Sequence, residues 1–167
     1  MARTYLPRTL AAAGIIAALV AALTLLTGSG LAAVIPARGA AFGDIFNDGR
    51  IGVVLNNIDS PPTLLRNAVN NSNHWLTLKL VGGPKSPRDA IGAKVFLTAA
   101  GVRQRADVFS GGSYGSSSDP RLHFGLGAAT KVDKLEIHWP SGTVEQVPVS
   151  GIDRIITVIE GKVISAQ

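Results

Sequence analysis

The side chains of residues 132–139 alternate, with Leu135, Ile137 and Trp139 on one side and Lys134, Glu136 and His138 on the other. A period of two belongs to a half-buried strand and excludes an amphipathic helix, whose apolar residues recur at intervals of three and four. One face of this segment needs an apolar layer against it, and the other meets water. Gly125 and Gly127 before it, and Pro140 and Gly142 after it, supply the turns that bound it. The alternation returns with Leu76, Leu78 and Leu80 against Thr77 and Lys79, and with Ala93, Val95 and Leu97 against Lys94, Phe96 and Thr98. In residues 102–109, Val102, Ala106 and Val108 oppose Arg103, Arg105 and Asp107, with Gln104 interrupting the apolar side. Shorter strands are expected at 143–147 and 155–159. Short strands at regular spacing predict an all-β fold, a small antiparallel β-sandwich or barrel. Its expected core is Leu76, Leu78, Leu80, Val95, Leu97, Leu135, Ile137 and Trp139, and Trp75 has the same apolar pattern of a core anchor.

The 167 residues carry a formal net charge of +5. Arg3, Arg8 and Arg38 are unopposed through residue 38, and from Gly39 onward 13 Lys/Arg face 11 Asp/Glu. These charges are scattered, with no basic run and no interleaved aromatics, which sets nucleic acid aside as a partner. The absence of cysteine removes disulfides, thiolate metal sites and an acylated Cys together. Behind Arg3 and Arg8, residues 10–26 are apolar except for Thr24, and Gly30, Ala32 and Ala33 suit a signal peptidase. Residues 1–33 are therefore assigned as a signal peptide or membrane anchor, an N-terminal hydrophobic helix. The rest of the chain is expected outside the cytoplasm, secreted, periplasmic or extracellular. Membrane contact is expected only through residues 10–26 where the segment stays uncleaved.

Further on, Phe42, Gly43, Asp44, Ile45, Phe46, Asn47, Asp48 and Gly49 form a turn rich in Asp, Asn and Gly ahead of the strand-like run Ile51, Gly52, Val53, Val54 and Leu55. The stretch resembles the last unit of an FG-GAP, or integrin-α-like, propeller. Blades of that family carry a calcium loop with acidic residues at alternate positions, where every second side chain converges on one hard cation. Asp44 and Asp48 are the candidate metal ligands here, while Phe46, Arg50 and Gly52 stand where the family pattern has carboxylates. Two carboxylates beside a guanidinium make a degenerate calcium loop. The expectation is a structural turn that binds calcium weakly or not at all, with no other cofactor. Ser60, Pro61 and Pro62 force an extended turn, and the polar residues 70–73 read as a linker, so residues 37–72 are taken as a repeat remnant and its linker.

Several groups of residues then occur in a fixed order: Asn73, His74, Trp75 and Leu76; Arg88, Asp89, Ala90, Ile91 and Gly92; Ser110, Gly111, Gly112, Ser113 and Tyr114; Asp119, Pro120, Arg121, Leu122, His123 and Phe124; and Ile137, His138, Trp139, Pro140, Ser141 and Gly142. Together they resemble the ASPIC/UnbV domain, the family of cartilage acidic protein and many bacterial exported proteins, in which the domain follows an FG-GAP propeller. The resemblance implies a β-domain over residues 73–161. In this chain the apolar segment runs almost directly into the final propeller unit, as expected of a stripped-down exported form or a piece of a longer product. Residues 115–118 are smaller than those the family carries after the tyrosine.

The functional reading is an exported, non-catalytic interaction module for an extracellular protein or glycan. The alternative is an accessory or hydrolytic domain acting on extracellular glycan or peptide. Candidate contact residues are Arg88 and Asp89, then Ser113, Tyr114, Asp119, Arg121 and His123 in and after the 110–120 loop. That loop is expected to project from one end of the scaffold, where recognition is commonly carried. Ser113, His123 and Asp119 are the residue types of a hydrolytic relay, yet no Gly-x-Ser-x-Gly elbow surrounds Ser113. His74, His123 and His138 each lie near an aromatic residue or on a strand, as expected of hydrogen-bonded structural histidines rather than metal ligands.

Overall fold

The alternating segments become strands in a computed structural model that describes Gly30, residues 34–162 and residues 165–166. Apart from Gly30, the signal or anchor segment at 1–33 lies outside the described residues. Among the described residues no helix is long and apolar enough to cross a membrane. The chain divides into Met1–Pro36 and Ala37–Gln167, and the second unit holds every strand described below.

Strands β1 (Ala37–Gly43), β2 (Gly52–Asn57) and β3 (Thr63–Leu65) form an antiparallel meander in that order. There follow β4 (His74–Val81), β5 (Lys94–Ala99), β6 (Val102–Asp107), β7 (Gly112–Ser113), β8 (Ser116–Ser117), β9 (Leu122–Gly127), β10 (Lys134–His138), β11 (Val144–Gln146), β12 (Arg154–Ile159) and β13 (Ser165–Ala166). They make two four-stranded sheets, ordered β13-β12-β4-β9 and β11-β10-β5-β6, and a small hairpin, β7-β8. One buried cluster joins Leu76, Leu78 and Leu80 of β4, Phe124 of β9 and Val158 of β12 to Val95, Leu97, Leu135 and Ile137 of the other sheet. The sheets thus share one core as in a sandwich, and neither closes on itself as a barrel would. All eight residues expected in the core belong to that cluster.

The structure departs from the antiparallel expectation at one pair of strands. β12 runs parallel to β4, with Arg154 opposite Leu76 and Ile159 opposite Val81. β12 is reached after the chain has crossed from β11 in the other sheet, so no tight hairpin fixes its direction, and a long crossover permits parallel pairing. Val102, grouped above with the apolar side of its segment, is 62% exposed at the start of edge strand β6. Thr77, on the side of β4 away from the core leucines, is nonetheless buried, so this sheet is covered on both faces.

Ile137 is fully buried and lies between Val95 and Glu145 across its neighbouring strands. Ile137→Ala is expected to cost about 2–5 kcal/mol through lost burial and a residual cavity. Val144→Ala, at a side chain 56% exposed, should stay within about 0.5 kcal/mol. Urea unfolding of both variants checks the pair; equal midpoints would contradict the two-sheet core.

Candidate binding cleft

The loop from Asp44 to Gly49 is built around its own first carboxylate. Asp44 is 2% exposed, its Oδ1 accepts the Asp48 N–H at 3.0 Å and its Oδ2 the Gly49 N–H at 2.8 Å. Burying a carboxylate costs heavily unless such donors satisfy it. Asp48 turns outward, accepting the Arg50 N–H at 3.1 Å and lying 3.7 Å from Arg66, whose guanidinium covers the Phe46 ring at 4.7 Å.

Arg121 fastens this loop to the rest of the domain. Its Nε donates to Asp119 Oδ2 at 2.7 Å, its Nη1 to Asn47 Oδ1 at 2.7 Å, and its Nη2 to the Asp44 carbonyl at 2.9 Å. The bond to Asp119 raises the guanidinium pKa above its ordinary value. Asp119 is held in turn, accepting the Arg121 N–H at 2.9 Å through Oδ1. The 110–120 loop does not stand free. It lies along β1, with Ser116 Oγ donating to the Ala40 carbonyl, Phe42 N–H to Ser118 Oγ and Asp119 N–H to the Phe42 carbonyl.

Between the 44–50 loop, the 67–73 segment and the starts of β4 and β12 lies an open cleft of about 580 Å³. Trp75 and His123 line it with ring planes 19° apart and centroids at 6.0 Å. Trp75, expected in the core, is instead half-buried at this wall, whereas Trp139 is 3% exposed in the core. Gly49, with φ +79°, lies so close to the indole that a Cβ there would collide with it, and the conformation itself favours glycine. His123 Nδ1 is 3.0 Å from Thr77 Oγ1. Burial lowers the His123 pKa below its ordinary value, with the Asp44 carboxylate opposing the shift.

The other side of the cleft is an Asp–His pair. His74 Nδ1 is 2.7 Å from Asp153 Oδ2, Asp153 Oδ1 accepts the Trp75 N–H at 3.0 Å, and the Asp153 N–H donates to the Trp75 carbonyl at 2.8 Å. Asp153 adopts φ +56°, a conformation that Asp tolerates better than most residues. Asn67, Asn71 and Asn73 complete the rim; Asn67 Oδ1 accepts the Val69 N–H and Asn71 Oδ1 the Asn73 N–H, each at 3.0 Å. Among the described residues no group of three or more His, Cys, Asp or Glu is placed to hold a metal.

Of the candidate residues, Asp48 and His123 line the cleft, while Asp44, Asp119 and Arg121 form the clamp behind it. Arg88 and Asp89 are exposed on the turn between β4 and β5, outside the cleft, where buried Ala90 and Ala93 tie that turn to the core. Tyr114 is 80% exposed at the tip of the β7-β8 hairpin, and the Ser113 backbone pairs with Ser116. Asp119 is bonded to Arg121 and His123 Nδ1 to Thr77, so Asp119 does not orient His123 as a relay requires. His138 lies on the outer face of the other sheet, 2.7 Å from Glu136, whose pKa is pulled to about 2 by Lys134 and then His138. Sequence reasoning missed Asp153 altogether, took Trp75 for core and read Asn71 and Asn73 as linker. The signal available was an Asp in the Gly151–Arg154 turn and a His-Trp pair opening a strand.

Residues 83–165 match the family model described as ASPIC and UnbV. No curated protein and no solved structure matches the chain. The matched span begins just past β4, so His123, Gly125 and Asp153 of the cleft fall inside it and residues 48–75 of the cleft fall outside.

Arg121→Met should lower stability by about 1.5–3 kcal/mol, the scale of charge-assisted bonds lost, and should speed hydrogen exchange at the Asp48 and Gly49 amides. Arg121→Lys should not restore either, since an ammonium cannot span the three acceptors. Unchanged exchange in Arg121→Met would show that the loop stands without its clamp.

Acid should destabilise the domain at two places with the same sign. Because the Glu136 pKa falls from 4.5 to about 2 on folding, its contribution is complete above pH 4.5 and is lost as pH drops toward 2. Because the His123 pKa is lowered, the unfolded chain binds a proton that the native state refuses between that lowered value and 6.5. Stability there rises with pH. Glu136→Gln should flatten the first window only, and an imidazole titration of His123 by NMR with a midpoint above 6.5 would contradict the second.

Proposed function

We propose that the chain is an exported, non-catalytic binding module of the ASPIC/UnbV type whose ligand, an extracellular protein or glycan, seats in the cleft at Trp75. The observation that carries this reading is the cleft itself. It falls in the size range of small-ligand sites, about 300–1,000 Å³, and it gathers an aromatic wall and convergent polar groups at one place. The match at residues 83–165 supports the family assignment of the β-domain; extending it upstream to an FG-GAP remnant at 37–72 rests on the sequence likeness alone. Export rests on the arginines and apolar run of residues 1–33. Weak or absent calcium binding at Asp44 and Asp48 is supported by the two backbone donors that already occupy Asp44.

A second reading, a hydrolytic domain, draws on one observation. The His74–Asp153 pair has the form of an imidazole oriented by a carboxylate, as a general base requires. Ser72 is the one hydroxyl side chain among the residues lining the cleft, and it sits on the exposed 70–73 segment. Turnover separates the readings: in the hydrolytic case the ligand that shifts Trp75 emission is cleaved and His74→Gln abolishes that cleavage, while a binding module releases its ligand unchanged.

The chain has two tryptophans, and only Trp75 lines the cleft. Extracellular protein and glycan fractions from producing cells should include one that shifts Trp75 emission saturably, with the shift lost in Trp75→Phe. If no fraction moves the emission, the cleft is not a binding site. For export, the protein recovered outside the cytoplasm should begin within a few residues of Ala33, or retain residues 1–33 in the membrane fraction; an intact Met1 in a soluble cytoplasmic pool would sink that part.

A further inference from the structure

Resting on that reading of the cleft, we propose that its ligand is a neutral oligosaccharide segment. The charged groups lining the cleft are Arg50 against Asp48 and Asp153, with His74 already paired to Asp153. This set does not favour a polyanion, which would meet two carboxylates, or a polycation, which would meet a guanidinium. What the walls offer in quantity is uncharged hydrogen bonding. The side-chain oxygens of Asn67 and Asn71 are taken by backbone N–H groups, while their amide nitrogens have no protein partner among the described residues. Each such NH₂ supplies two donors, and a hydroxyl accepts from a donor while giving its own proton to a carboxylate. Amide donors interspersed with Asp48 and Asp153 therefore match a ligand whose polar groups are uncharged and mostly hydroxyls.

The apolar part of the lining fits the same class. Val69 is 61% exposed and Trp75 half-buried on the cleft wall. They present hydrocarbon and aromatic surface to a ring whose C–H groups form an apolar face while its hydroxyls lie at the rim. An extended peptide fits less well. It would have to bond its backbone along a free strand edge, and the edge strand that reaches the cleft is β9, where the Gly125 carbonyl already accepts Gln104 Nε2 at 2.8 Å.

The test is calorimetry of the whole chain, with tryptophan emission in parallel, against neutral hexasaccharides of glucose, mannose, galactose and N-acetylglucosamine. A pool of neutral hexapeptides and an oligogalacturonate serve as contrasts. At least one neutral hexasaccharide should bind and shift Trp75 emission, with Kd changing less than about twofold when salt rises to about 0.5 M, because no ligand charge is screened. Asn67→Ala combined with Asn71→Ala should weaken it at least about tenfold, the equivalent of one good hydrogen bond, with the far-UV spectrum unchanged, since the fold loses only two turn bonds of the 67–73 segment. If the peptides or the uronate shift Trp75 emission and no neutral sugar does, the sugar class is overturned while the cleft remains a binding site. If no probe shifts it, and the extracellular fractions do not either, both fall together. Equal sugar affinity in the double variant would also overturn the proposal.

Discussion

The arrangement around the cleft depends on one guanidinium. Arg121 reaches three acceptors on separate parts of the chain, the Asp119 carboxylate, the Asn47 amide oxygen and the Asp44 carbonyl. A planar fork with five donors can satisfy acceptors in several directions at once, which a lysine ammonium cannot do with the same geometry. The clamp lies 23% exposed, so its bonds are partly shielded from water and salt and are worth more than those of an open surface pair. Fixed there, the 44–49 loop covers the outer side of the β13-β12-β4-β9 sheet. That cover explains why Thr77 and His123 are drawn out of solvent and why Gly49 rests on the Trp75 indole.

Much of the sandwich was legible because period-two alternation marks a half-buried face directly. Leu76, Leu78 and Leu80, then Val95 and Leu97, then Leu135, Ile137 and Trp139 name the core residue by residue. The same rule misled at Trp75, one position out of phase with Leu76. On a strand with apolar residues on both sides, alternation cannot say which face meets the main core and which meets a loop folded back from earlier in the chain, here at Gly49. The parallel partnership of β4 and β12 was illegible for a related reason. Pairing direction is a property of connections, and the connection here is most of the domain.

The candidate site was only partly legible. Asp119, Arg121 and His123 stood out as polar residues in and after a glycine-rich loop. Two of them proved to be the fastening and His123 a wall. Asp48 was picked out as a ligand for calcium, and it lines the cleft with one oxygen holding its own turn. Asn71 and Asn73 carry no periodicity and no charge, which is why residues 70–73 read as linker; their place on the cleft rim emerges only when the 44–50 loop and the β12 turn are brought opposite them. Polar residues in an irregular segment acquire meaning from what a scaffold places across from them.

The parallel pairing accounts for the composition of the site. In a parallel pair both strands start at the same end of the sheet, so the residue entering β12 lies beside the residues entering β4. With Arg154 opposite Leu76, Asp153 falls next to Trp75 and within reach of His74, closing the exchange of backbone and carboxylate bonds that fixes both. Antiparallel pairing would have carried Asp153 to the far end, near Val81, and left His74 without its carboxylate. The crossover that costs folding a long loop closure thus sets one wall of the cleft, from the region matching the family model, against the other, from the strands before it. A ligand held between Asp48, Trp75 and Asp153 would touch both walls and the loop between β1 and β2, so its binding should report on whether that loop is seated on the sandwich at all.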